Sequence, residues 1–267
     1  MHRMKVRSGD ADIFYEVRGD GPDVVLLHPF PSDHTFWSGA AERLESRYRL
    51  ILPDLRGHGE STAGDGPATM HKHAQDIARV CDELRIAKAV FVGCSIGGYI
   101  LFEIWRRSRE RVRALVFCDT KALADTEEGR AQRLKTAEDA GQRGPEYVIG
   151  NMFARLLGET TQRNRPDVVS AARGTMNRTT AEGFAAVQRG MAERPDSTPT
   201  LATIAVPTLV LGGEEDRLSP PQELQRIASG IPGASLKIIA KAGHLAPMEQ
   251  PEEVGIALRQ FLDTLPR

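Results

Sequence analysis

Ala89-Val90-Phe91-Val92-Gly93-Cys94-Ser95-Ile96-Gly97-Gly98 is the stretch on which the fold turns. Four consecutive apolar residues predict a buried strand, and the segment from Gly98 to Arg107 carries a helical pattern, so Ser95 stands on a sharp turn between the two. Such a turn holds its central residue in a strained backbone conformation and pushes the hydroxyl out of the fold. Gly93 and Gly97 suit this arrangement, because a side chain at either place would crowd the approach of strand and helix. The pattern G-x-S-x-G alone is also compatible with a plain structural turn. Its position between strand and helix, and a base elsewhere in the chain, are what give it chemical meaning.

Working outward, short apolar runs alternate with longer amphipathic segments, the pattern of strands joined by crossover helices into a mostly parallel sheet. Strands are predicted at Met4–Val6, Ile13–Val17, Val24–His28, Leu50–Pro53, Ala89–Val92, Ala114–Cys118, Thr208–Leu211 and Leu236–Ile239. The first two read as an alternating hairpin, the later ones as continuous Val, Ile and Leu runs covered on both faces. Helices are predicted at Thr35–Ser46, Thr69–Leu84, Gly98–Arg107, Pro221–Ser229 and Pro251–Leu265, with Thr69 as an N-cap and Pro221 and Pro251 in first turns. From Lys121 to Thr203 the rhythm breaks. Only helical patterns occur there, near Thr126–Ala140, Pro145–Leu157, Pro166–Met176 and Thr180–Glu193. Residues 1–120 and 204–267 are therefore expected to form an α/β core, and residues 121–203 a helical lid over the carboxyl ends of the strands, where such sheets bind ligands.

Bulk properties narrow the function. With 27% charged and 40% hydrophobic residues in 267, the composition is that of a soluble globular protein. No apolar run approaches the roughly 20 residues of a membrane span. The start, Met1 to Asp12, lacks the apolar core of a secretory signal, so a cytoplasmic location is expected. A balance of 35 basic and 36 acidic residues gives no field for nucleic acid or anionic lipid. Cys81, Cys94 and Cys118 have neither metal-site spacing nor even number, so neither a metal site nor a disulfide framework is expected, and all three read as buried thiols; the serine chemistry read below implies no cofactor either.

A serine hydroxyl is a poor nucleophile until a neighbouring base takes its proton. Where a turn of this kind carries a catalytic serine, acid and then histidine follow it in the chain. His244 is the only histidine after Ser95, and it lies just beyond the last predicted strand. The carboxylate that holds the imidazole in the accepting tautomer is expected to be Asp216, after the strand Thr208–Leu211. Asp119, at the end of the run Val116-Phe117-Cys118, is its rival. The oxyanion would need two backbone donors. Ile96, at the start of a helix, supplies one. The other should come from His28-Pro29-Phe30-Pro31, where prolines carry no N–H and Phe30 alone among residues 29–31 can donate. Trp37, Tyr99, Met152, Phe153 and Met248 are candidates for a substrate pocket. Among lid cations that could bind a remote carboxylate, Arg130, Arg133, Lys135 and Arg155 are available, and the sequence singles out none.

These features together resemble the α/β-hydrolases, in particular the group of 3-oxoadipate enol-lactonases and small microbial carboxylesterases. The likeness rests on His28 to Pro31 with Trp37, on Pro53-Asp54-Leu55-Arg56-Gly57-His58-Gly59-Glu60-Ser61, on the turn at Ser95, on Asp216 before Pro220, and on Gly243-His244 followed by Glu249-Gln250-Pro251. One departure is Pro29, where these proteins usually have glycine. The resemblance implies an eight-stranded, mostly parallel sheet, and a serine hydrolase acting on small carboxylic esters or lactones through an acyl-enzyme. Asp54, Arg56 and His58 fall in a turn that is structural in such proteins. Carbon–carbon bond hydrolysis or perhydrolysis on the same triad, and a small-molecule receptor with weak hydrolase activity, stay open as alternatives. A homodimer is compatible with the chain.

Overall fold

The structure, a computed structural model, describes residues 2–266. Eight strands form one sheet: β1 (His2–Ser8), β2 (Ala11–Arg18), β3 (Asp23–Leu27), β4 (Arg49–Pro53), β5 (Ala89–Cys94), β6 (Val112–Cys118), β7 (Thr208–Gly213) and β8 (Ser235–Ile239). Their order is β1-β2-β4-β3-β5-β6-β7-β8. β1 and β2 are an antiparallel hairpin, β2 runs antiparallel to β4, and every later pair is parallel. β5 and β7 are buried at every position and β3 at all but its first. Apolar β-branched residues suit strands covered on both faces.

The helices are α1 (Ser38–Ala41), α2 (Met70–Glu83), α3 (Ile96–Ser108), α4 (Glu127–Arg143), α5 (Pro145–Phe153), α6 (Glu159–Asn164), α7 (Pro166–Met176), α8 (Ala181–Ala192), α9 (Thr198–Leu201), α10 (Pro221–Gly230), α11 (Ala246–Glu249) and α12 (Pro251–Asp263). Thr69 caps α2 by accepting from the Lys72 amide, and Thr126 and Thr180 cap α4 and α8 in the same way. All of α4 to α9 lie between β6 and β7 in the chain.

Two expected helices differ. Thr35–Ser46 resolves into a 3₁₀ turn at His34–Trp37, the short α1 and further turns, and Gly39 of α1 packs on Pro251, where a Cβ would come within 2.8 Å. α5 ends at Phe153 rather than Leu157. The chain tightens there into i→i+3 bonds, Arg155 to Met152 and Leu156 to Phe153, and the Leu156 carbonyl turns to accept the His244 amide at 3.0 Å. The short α6, α9 and α11 carry no sequence periodicity of their own.

Helix α8 rests on the core through two glycines seven residues apart. A Cβ on Gly183 would lie 2.1 Å from the Gly57 carbonyl oxygen, and one on Gly190 would lie 1.8 Å from that of Ala68. Between them the Ala186 carbonyl accepts from the Ala68 amide at 2.9 Å. No described helix is long and apolar enough to cross a membrane.

Candidate active site

The strand order reverses between β3 and β5, which share a register from Val24↔Val90 to Leu27↔Gly93. Such a switch point leaves a crevice at the carboxyl edge. Ser95 follows β5 with φ 53°, in the left-handed region that ordinary side chains avoid. Both flanking glycines are required. A Cβ on Gly93 would lie 2.4 Å from the Gly97 carbonyl carbon, and one on Gly97 would lie 2.7 Å from the Leu27 carbonyl oxygen. The strained turn is pinned by its own backbone, since the Ser95 amide donates to Cys118 at 2.9 Å while its carbonyl accepts from Gly98 at 2.9 Å and from the Thr120 hydroxyl at 2.8 Å.

Beyond β8, His244 brings Nε2 to 2.8 Å from Ser95 Oγ, and its Nδ1 lies 2.8 Å from Asp216 Oδ2. Asp216 Oδ1 is occupied separately, accepting from the Leu218 and Ser219 amides at 2.7 and 3.0 Å. Burial raises the Asp216 carboxyl, but the adjacent His244 and these amides outweigh it and hold the group below its ordinary value. Asp119, the rival, sits elsewhere: its Oδ1 accepts from the Gly213 amide at 2.7 Å and its Oδ2 from the Cys118 thiol at 3.1 Å. Complete burial, together with Cys118 and Asp216 nearby, pushes its carboxyl well up. Cys94, Cys118 and Asp119 thus form a buried cluster behind Ser95, in which burial pushes the Cys94 thiol up to about 11.

The ends of the His244 loop are clamped by Glu249. Its Oε1 accepts from the Gly243 and Leu245 amides at 2.9 and 3.2 Å, and its Oε2 from Gly158 at 2.8 Å. On the other side, His28 fixes the loop after β3. Its Nδ1 lies 2.9 Å from the Pro29 carbonyl and its Nε2 accepts from the Leu55 amide at 2.9 Å, so the ring is neutral, and burial lowers it to about 4. Among the described residues, neither the Phe30 nor the Ile96 amide donates to another protein group. Asp54 accepts from the His34 and Glu60 amides, and Arg56 grips Asp76 with two nitrogens at 2.8 Å, so that turn is held by its own side chains.

Ser95 and His244 open on a cavity of about 180 Å³. The core contributes Phe30, Tyr99, Leu218 and Ser219, and the helical segment contributes Lys121, Arg133, Met152, Arg155, Gln188 and Met191, among others. Tyr99 and Met152 therefore stand where the sequence suggests. Trp37, Phe153 and Met248 do not line it: Trp37 is fully buried edge-on against Phe36, the Phe153 ring lies buried under the Arg173 guanidinium at 3.9 Å, and Met248 packs on the core from α11. A larger recess of about 560 Å³ lies at the opposite edge, beside the amino ends of β3 and β5 near Val24 and Val90, remote from Ser95.

Residues 22–251 match the family model of the α/β-hydrolase fold. The chain belongs to the α/β-hydrolase fold family. A thermophilic esterase from Thermogutta terrifontis, solved with malate bound, is 41% identical and superposes over 98% of both chains with a TM-score of 0.95. The enol-lactonase from Burkholderia xenovorans LB400 is 25% identical, with a TM-score of 0.91 over 97% of this chain and 100% of its own. A 3-oxoadipate enol-lactonase of Acinetobacter baylyi is 26% identical over 234 residues, 88% of this chain and 86% of its own.

Proposed function

We propose that this α/β-hydrolase cleaves small carboxylic esters or lactones, with Ser95 as nucleophile, His244 as base and Asp216 as the group that orients the base. The observation that carries the proposal is the unbroken row from Asp216 Oδ2 through both ring nitrogens of His244 to Ser95 Oγ, with 2.8 Å at each step, facing a cavity. Kinship with esterases and enol-lactonases over nearly the whole chain supports the same chemistry.

An ionised Asp216 accepts a hydrogen bond from the Nδ1–H of His244, which leaves Nε2 free to take the proton of Ser95 as its oxygen attacks the carbonyl. The negative charge on the tetrahedral oxygen is met by the amides of Ile96 and Phe30, which no internal acceptor occupies. His244 returns its proton to the leaving alkoxide and then draws one from water to release the acid from the acyl-enzyme. Residues 121–203 act as the roof that shapes the acyl pocket and limits water entry. A fluorophosphonate probe tests this reading: it should add one adduct per chain, on the peptide that carries Ser95, and none to the Ser95→Ala variant. Label on another residue, or none in a protein that hydrolyses esters, would overturn it.

A further inference from the structure

Three cationic side chains, Lys121, Arg133 and Arg155, border the cavity that holds Ser95, and no carboxylate does. Arg133 is already compensated. Its Nε lies 2.5 Å from Asp125 Oδ2, and one of its terminal nitrogens donates to Gln188 Oε1 at 3.2 Å. Asp125 is shared with the buried Arg194, which also stacks over the Tyr99 ring at 4.3 Å. That trio keeps one net positive charge. Lys121, half-buried, and Arg155, exposed, make no side-chain hydrogen bond or ion pair among the described residues.

Unpaired surface cations are ordinary, and most are solvated. What separates these two is how they are mounted. Lys121 follows Thr120, whose hydroxyl donates to the Ser95 carbonyl, and Arg155 precedes Leu156, whose carbonyl accepts the His244 amide. Each cation is therefore carried on a backbone segment bonded directly to a member of the reacting row. A positive field in a concave, partly desolvated site, without an internal counter-ion, favours an anion supplied from outside.

We propose that the cavity selects esters or lactones that bear a second, free carboxylate, held by Lys121 and Arg155 while the scissile carbonyl sits at Ser95. The proposal rests on Ser95 being the nucleophile. The volume of about 180 Å³ restricts such substrates to small ones.

Paired substrates of matched length test it. 4-Nitrophenyl hydrogen glutarate against 4-nitrophenyl pentanoate places the charge on the acyl side, and 3-acetoxypropanoate against propyl acetate places it on the alcohol side. In at least one pair the anionic member should have kcat/KM about 10- to 100-fold higher, the value of a charge-assisted contact. That ratio should fall in Lys121→Met and in Arg155→Met, persist in Lys121→Arg, and shrink as salt rises from about 20 mM to about 500 mM. Because each ratio is taken on one sample, a loss of folded protein in a variant cancels. Wild-type protein adds a second readout, in which glutarate should inhibit more strongly than pentanoate. Hydrolysis of the neutral esters without an anionic preference, or a preference that both Met variants keep, would overturn the proposal and leave the nucleophile assignment standing. No hydrolysis of any of the four would overturn both.

Discussion

Replacing Asp216 by Asn removes one charge and keeps the shape, and the hydrogen bonds around it dictate how the variant must fail. In the native site Oδ1 accepts from the Leu218 and Ser219 amides, and Oδ2 faces His244 Nδ1. In the variant, the carbonyl oxygen of Asn must stay on the side of the two amides. Flipping the group would set an NH₂ against two N–H donors, one buried and one partly buried, and cost roughly 2–6 kcal/mol, at about 1–3 kcal/mol for each unmet bond. The NH₂ therefore faces His244, turns Nδ1 into an acceptor and places the ring proton on Nε2, pointing at Ser95. The base is then blocked. The same exchange in another serine triad lowers kcat by about 10⁴-fold, equivalent to about 5.5 kcal/mol of barrier, and a loss of that order is expected here. The assay is steady-state hydrolysis of a 4-nitrophenyl ester near pH 7.5, with a thermal melt to confirm that the variant is folded. Asp119→Asn is the control. Its Oδ1 keeps the Gly213 amide, the thiol of Cys118 can turn to accept from the new NH₂, and the side chain bonds neither His244 nor Ser95 among the described residues, so less than about tenfold should be lost. A folded Asp216→Asn variant with more than a tenth of native activity, or an Asp119→Asn variant equally inactive, would refute the assignment of Asp216.

Acid should destabilise the fold well above the carboxylate range. His28 and His58 are held neutral by burial, at about 4 and about 3 against an ordinary 6.5, so below pH 6.5 the unfolded chain binds protons that the folded chain refuses. Stability is then complete above pH 6.5 and falls toward pH 4 by about 3 kcal/mol for each ring. Urea midpoints at pH 7 and pH 4.5 check this, and a flat profile would contradict it. Gly190→Ala should lower the melting temperature by roughly 5–10 °C, an overpacking cost of about 3 kcal/mol, because the new methyl meets the Ala68 carbonyl at 1.8 Å and must lift α8 from the core. An unchanged melt would contradict that packing.

The sheet was legible in the sequence because its strands are short, apolar and bounded by turn residues, and all eight predicted runs fall within observed strands or overrun an end by one residue. Ser95 and His244 were legible for different reasons: one stands on a turn that only glycine neighbours permit, and the other is the last histidine of the chain. Asp216 had to be weighed against Asp119, since both follow strands, and only three-dimensional placement separates a carboxylate on the imidazole from one on the Gly213 amide. The pocket was hardest to read. Trp37 and Phe153 look like lining residues in a chain of letters, but a tight turn and a helix end direct them inward. Lys121 is one of 35 basic residues and carries no periodic mark, and its significance comes from Thr120 being tied to Ser95 across 25 residues. Glu249 was visible beside Gln250 and Pro251, yet its grip on Gly243, Leu245 and Gly158 depends on contacts no local pattern encodes.

The most direct measurement is the turnover of the Ser95→Ala variant on an ester that the native protein hydrolyses. If Ser95 is the nucleophile, kcat falls by at least about 10³-fold while the melting temperature stays within a few degrees of native. A folded variant that hydrolyses the ester at close to the native rate would contradict it.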